Sequence, residues 1–94
     1  MRFKGLTIGD KTITNQTRIL DVLEKSGFNW LVDSEIENAD IEIKKNTIIW
    51  HGGDFYSGKW NYSIFKSGNF YGIFENGIFE GGNFKGKFLS GVKV

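Results

Sequence analysis

Phe70-Tyr71-Gly72-Ile73-Phe74 is followed fourteen residues later by Phe84-Lys85-Gly86-Lys87-Phe88 and preceded at the same interval by Tyr56-Ser57-Gly58-Lys59-Trp60. The neighbours agree as well. Ser63-Ile64, Gly77-Ile78 and Gly91-Val92 align, as do Gly68-Asn69 and Gly82-Asn83. The chain therefore divides here into three units, Gly52 to Phe65, Lys66 to Phe79 and Glu80 to Lys93. A shorter beat runs beneath: Trp50, Phe55, Trp60, Phe65, Phe70, Phe74, Phe79, Phe84, Phe88 and Val92 follow one another at steps of five or four. The stretch Trp50 to Val94 holds 12 of the 15 aromatic residues and 10 of the 13 glycines, so this self-similarity decides the architecture of half the chain.

In an extended segment, alternate residues share a face. Two rings then flank a glycine on one side of Phe70-Tyr71-Gly72-Ile73-Phe74, and the missing side chain leaves room for a ring from a neighbouring segment. Asn76-Gly77, Gly81-Gly82-Asn83 and Ser90-Gly91 supply turns between segments. A helix is disfavoured, because each interior glycine costs about 1 kcal/mol. Two mainly β architectures fit. One is a short β-solenoid of 14–15-residue units with three sides to a coil, stacking Tyr56, Phe70 and Phe84 as one ladder and Trp60, Phe74 and Phe88 as another. The other is an antiparallel β-meander of hairpins. The solenoid is preferred, since a meander leaves strands of two or three residues between Gly77 and Gly82, shorter than free-standing strands run.

The beat resembles that of pentapeptide-repeat proteins: Ala39-Asp40-Ile41, Gly53-Asp54-Phe55, Gly68-Asn69-Phe70 and Gly82-Asn83-Phe84 repeat the order small, Asp or Asn, large. That resemblance implies a right-handed four-sided β-helix and a binding or mimicry role without catalysis; the four-residue steps depart from it. Tyr56-x-Gly58-x-Trp60-x-x-Ser63 is similar to a MORN repeat, which implies a β-hairpin module used in scaffolding and lipid association, and the longer MORN period is absent. The Gly-x-Phe pentads are similar in style to those of uncharacterised tailed-phage proteins, which by analogy implies a viral accessory or structural role.

The first third of the chain reads differently. Leu6 to Thr14 alternates around Gly9-Asp10 as a β-hairpin. Ile19, Leu20, Val22 and Leu23 then form an apolar helical face, predicting one helix from Gln16 to Ser26. Thr14 or Asn15 is its N-cap, with Gly27 and Phe28 closing a Schellman motif against Leu23. Residues 1–33 are read as a hairpin-and-helix cap, completed by Phe28, Trp30, Leu31 and Val32, over a repeat body of residues 34–94. Ile36 to Ile49 is expected to form early, aliphatic coils with a turn at Lys45-Asn46. Nothing caps the last coil, so Phe84, Phe88, Val92 and Val94 mark an association end, and the expected partner is a second copy or another protein.

Composition narrows the chemistry. Twelve Lys+Arg balance 11 Asp+Glu, which argues against a nucleic-acid mimic and a duplex-DNA binder. There is no cysteine, no secretory leader pattern and no apolar run of membrane-spanning length, so a cytosolic protein without membrane insertion is expected. The single histidine, His51, has no catalytic or zinc-type spacing around it. Asp33, Glu35, Glu37, Asp40 and Glu42 form an acidic stretch without a calcium-loop spacing, and the glycine pairs match no phosphate-loop pattern. No enzyme, cofactor or metal is expected. One set does suit a ligand: Lys59, Lys66, Lys85 and Lys87 among Tyr62 and Tyr71, with Tyr56 and Trp60 nearby. Tyrosine faces stack on bases and lysines hold phosphates. The expected function is thus non-enzymatic binding or assembly through protein contacts, with nucleotide or short single-strand binding as the alternative.

Overall fold

A computed structural model describes residues 1–94 and shows a β-solenoid of about three turns beneath a mixed N-terminal layer. Strands β1 (Phe3–Ile8) and β2 (Lys11–Ile13) form the expected hairpin, turning at Gly9-Asp10 with Ile8 opposite Lys11. Helix α1 (Gln16–Lys25) begins at Asn15, whose Oδ1 accepts from the Arg18 N–H at 2.9 Å. It ends in the Schellman arrangement: the Phe28 N–H donates to the Leu23 carbonyl at 2.8 Å and the Gly27 N–H to that of Glu24 at 3.2 Å. Its apolar face buries Ile19 and Leu23. A second helix of one turn, α2 (Asn29–Val32), buries Leu31 and sets the Trp30 ring edge-on to Trp60, with centroids 5.0 Å apart.

Ile36 to Ile49 corrects the expectation of early coils. Strand β3 (Glu35–Lys44) reverses at Lys45-Asn46, where Lys45 has a φ of +59°, and pairs antiparallel with β4 (Thr47–Ser57). The turn sends the chain back along itself, which a coil never does. On its other side β3 pairs parallel with β1. The upper edge of the first coil is therefore covered by a strand as well as by α2.

Below that edge every pairing between coils is parallel, which excludes the meander. Strand β4 forms two sides of the first coil, and β5 (Lys59–Trp60) forms the third. The next coil supplies β6 (Ser63–Phe65), β7 (Asn69–Phe70) and β8 (Ile73–Phe74). The last complete coil supplies β9 (Gly77–Phe79), β10 (Asn83–Phe84) and β11 (Lys87–Phe88), and β12 (Val92–Lys93) starts another. The stacks are β4-β6-β9-β12, β4-β7-β10 and β5-β8-β11, so a coil has three sides rather than the four that the pentapeptide-repeat resemblance implies.

Three ring ladders fill the interior. Trp50-Phe65-Phe79, Phe55-Phe70-Phe84 and Trp60-Phe74-Phe88 stack at centroid distances from 4.8 to 6.1 Å, with planes between 7° and 16° of parallel. The ladders meet one another edge to face, the other favoured arrangement of aromatic pairs. The second and third contain the expected pairs, with one correction: Phe55, not Tyr56, sits above Phe70. Phe55 and Trp60 are five residues apart, whereas Phe70 and Phe74, like Phe84 and Phe88, are four apart. The first coil carries an extra residue at that corner, so the shift between coils is fifteen on one side of it and fourteen on the other. Tyr56 is thereby turned outward.

The coils pack closely enough to dictate the corner residues. Gly68 has a φ of +114°, and a Cβ there would run into the Gly53 carbonyl of the coil above; Gly82 repeats the relation to Gly68. Beside this column, Asn69 Nδ2 donates to Asp54 Oδ1 at 2.7 Å and Asn83 Nδ2 donates to Asn69 Oδ1 at 3.0 Å, a polar ladder parallel to the aromatic ones.

Candidate functional site

Two surfaces stand out, and the repeat builds both. The first is a groove of about 490 Å³ along one corner of the solenoid. Residues that directly follow a ladder phenylalanine point away from the core. On one wall this rule places Tyr56, Tyr71 and Lys85, which follow Phe55, Phe70 and Phe84. Residues that directly precede the Trp60 ladder form the other wall: Lys59, Ile73 and Lys87, in register down β5, β8 and β11. Between the walls run Gly58, Gly72 and Gly86. A Cβ on Gly72 would meet Phe55 Cε1 at 2.7 Å and the Gly58 carbonyl oxygen at 2.8 Å, and one on Gly86 would meet the Gly72 carbonyl, so both stay glycine to let the coils stack, and backbone lines the groove between the walls.

Tyr56 and Tyr71 stack with centroids 5.7 Å apart and planes 14° from parallel. The Tyr56 hydroxyl donates to Asp54 Oδ2 at 3.2 Å; that hydrogen bond, and then the charge of the same carboxylate, raises the phenol above its ordinary pKa. The third place in this outer column belongs to Lys85, so the face of Tyr71 toward the last coil has no ring against it. Lys59, Lys85 and Lys87 form no salt bridge.

The groove brings together four of the six residues singled out from the sequence, Lys59, Tyr71, Lys85 and Lys87. It does not hold Tyr62 or Lys66. Tyr62 lies at another corner, 70% exposed beside Ile64, Ile78 and Val92, and Lys66 follows Phe65 on the way to the third. All six face solvent, but a three-sided coil sends its corners in different directions. Tyr56 is the residue the sequence reading placed in the core and the structure places in the groove.

The second surface is the lower end. The carbonyls of Phe70, Gly72 and Phe74 accept from the N–H groups of Lys85, Lys87 and Leu89 in the coil below. Fourteen residues on, the equivalent carbonyls of Phe84, Gly86 and Phe88 have no coil beneath them, and β10, β11 and β12 each pair on one side only. Phe70 and Phe74 are wholly buried, while Phe84 and Phe88 are partly uncovered; Leu89, Val92 and Val94 are 54%, 56% and 83% exposed. Lys93 lays its ammonium over the Phe84 ring, 4.4 Å from the centroid. The four residues marked from the sequence thus lie together at this end, and Leu89 joins them.

Elsewhere a few polar side chains are paired. His51 Nε2 meets Glu42 Oε1 at 2.9 Å, and Glu37 holds the N-terminal amine at 3.0 Å. No three His, Cys, Asp or Glu side chains gather closely enough to hold a metal ion, and no helix is long and apolar enough to cross a membrane. Comparison of the chain with protein-family models, curated proteins and solved structures gave no match.

Proposed function

We propose that this chain is a non-enzymatic assembly module that associates with a second copy of itself through the last solenoid coil. The observation carrying this reading is the one-sided pairing of β10, β11 and β12 over the partly uncovered Phe84 and Phe88. Unpaired strand edges recruit further strands. Here the edge is broken into sides of two residues joined by corners, so an extended segment could satisfy only one side at a time. A second coil of the same outline can meet all three. The upper end carries β3 over β4 and the α2 ring Trp30 over Trp60 in place of a bare coil, so the surface that matches the lower end in outline is its own equivalent across a two-fold axis.

Light scattering on the chromatographed protein tests this. The expected mass at tens of micromolar is twice the 10.7 kDa of one chain. Lys85 and Lys87 lie near the rim and repel their mates, so added salt should tighten the dimer by screening them. Leu89→Lys with Val92→Lys should give a monomer with an unchanged circular dichroism spectrum. A wild-type monomer at about 100 µM, a concentration that even a modest complex saturates, would refute the reading.

A further inference from the structure

We infer that the corner groove of Tyr56, Tyr71, Lys59, Lys85 and Lys87 binds a nucleoside phosphate, through its base on Tyr71 and its phosphates on the lysines. The inference rests on the groove alone and stands apart from assembly through the lower end. Three features converge on one ligand chemistry. The first is the open face of Tyr71. Successive strands of a sheet lie about 4.8 Å apart. The outer column places Tyr56 against Tyr71 and then substitutes Lys85 for a third ring. The lower face of Tyr71, a residue 40% exposed, is therefore met by the flexible Lys85 side chain and by no ring, and a base reaches it when that side chain turns aside toward a phosphate.

The second feature is the charge. Lys59, Lys85 and Lys87 line the same groove without a carboxylate partner. Lys85 and Lys87 stand on the two walls at the level below Tyr71, while Lys59 stands two coils above Lys87 in the same column. The third is the floor. With only Ser57, Gly58, Gly72 and Gly86 between the walls, and glycine alone in the lower two coils, a flat group can lie against backbone there.

A neutral sugar would use the tyrosine but not the three cations, and an acidic peptide the cations but not the ring face. A base bearing phosphates uses both. Base-on-aromatic stacking contributes about 1–3 kcal/mol, and lysine contacts to phosphate weaken as salt rises.

The test is isothermal titration of the whole chain at low salt with adenosine triphosphate, adenosine, inorganic triphosphate and a six-residue oligodeoxyadenylate. Adenosine triphosphate should bind more tightly than either adenosine or triphosphate. Tyr71→Ala should weaken it about tenfold, the loss of one stacked base. Lys85→Ala with Lys87→Ala should flatten the salt dependence. Tyr62→Ala and Lys66→Ala, outside the groove, should change nothing. All these side chains lie outside the core, and circular dichroism verifies that each variant is folded. A tighter oligonucleotide than mononucleotide identifies a single strand as the source of the ligand; equal or weaker binding identifies a free nucleotide. Either outcome supports the site. No heat up to about 5 mM adenosine triphosphate, weaker than any millimolar complex, would overturn it. So would binding that triphosphate reproduces and Tyr71→Ala leaves unchanged.

Discussion

Phe74 and Phe88 occupy adjacent places in the same ladder, one sealed between coils and one at its open end, and truncating each in turn tests whether stacking carries the fold. Phe74 is fully buried, stacked on Trp60 at 6.1 Å above and Phe88 at 5.2 Å below, with Phe70, Phe79 and Phe84 against it edge to face. Phe88 has only Phe74 and Phe84 as ring neighbours and is partly exposed. Phe→Ala at a core site costs about 3–5 kcal/mol. Phe74→Ala belongs at the upper end of that range, because the cavity lies between two coils whose backbones cannot close on it. Phe88→Ala opens no enclosed cavity and gives up fewer pair contacts, so its cost should be about 1–2 kcal/mol, the transfer of part of one ring. Small domains hold about 5–15 kcal/mol in total. Urea denaturation followed by tryptophan fluorescence should therefore put the Phe74→Ala midpoint about 2–4 M below wild type, and the Phe88→Ala midpoint about 1 M below, at equal slope. Equal costs for the two would refute a ladder that is sealed above and open below. A Phe74→Ala cost under about 1.5 kcal/mol would remove Phe74 from the core altogether.

Other perturbations separate the close-packed corners from the free ones. Gly68→Ala should unfold the protein or cost more than about 3 kcal/mol, combining a strained φ with a clash against the Gly53 carbonyl; Gly27→Ala, at a φ of +85° with open space around it, should cost about 1 kcal/mol in the same melt. Trp50 Nε1 is buried without a hydrogen-bond partner, whereas Trp60 Nε1 donates to the Ser63 carbonyl at 3.0 Å. Trp50→Phe should thus be better tolerated than Trp60→Phe by about 1 kcal/mol, since only the second gives up a hydrogen bond; a reversed order in thermal melts would defeat that reasoning. The Tyr56 phenol should titrate above its ordinary 10.0, and Asp54→Asn should bring it back toward that value. Because the raised value belongs to the folded state, the stabilising contribution is complete below pH 10.0 and is lost as pH climbs through the shifted pKa. Phenolate absorbance in a Tyr62→Phe, Tyr71→Phe background reads this directly, and an Asp54→Asn titration identical to its parent would exclude Asp54 as the cause.

The coils were legible because the repeat is written in large and small residues. Gly72 and Gly86, Phe70 and Phe84, Phe74 and Phe88 sit at equal spacing, and equal spacing becomes vertical alignment when the pairing is parallel. What misled was a single extra residue. Between Phe55 and Trp60 the first coil has one more position than the coils below, and it converts Tyr56 from a ring of the core into a wall of the groove. No pattern in one unit announces such an insertion, because Tyr and Phe are equally good ladder residues until packing chooses between them. The same limit explains Tyr62 and Lys66. Period locates a residue on the outside of the coil, but the side it faces depends on where the corners fall. Ile36 to Ile49 was ambiguous for another reason: alternating aliphatic residues suit a hairpin and a coil alike, and the Lys45-Asn46 turn decided between them. Helix α2 is four residues long, too short for a helical period to register.

The unequal ends of the stack limit what assembly can build. A solenoid open at both ends would add copies head to tail, and heterologous contacts that do not close make filaments. Here the N-terminal end is closed twice over. Strand β3 runs antiparallel to β4 and satisfies its upper edge, and Trp30 from α2 lies edge-on against Trp60 at the top of its ladder. A lower end therefore finds no bare coil of its own outline at the other end, where the free strand edge is the three-residue β2. In the proposed assembly, two lower ends facing each other would use up both coil edges, and association would stop at two. The Lys93 ammonium over Phe84 restrains even that step, because a ring covered by a cation is a poorer surface to bury than a bare one. In that reading the hairpin and helices do more than complete the first coil: they leave no second bare coil for the lower end to join, so pairing and not polymerisation would result.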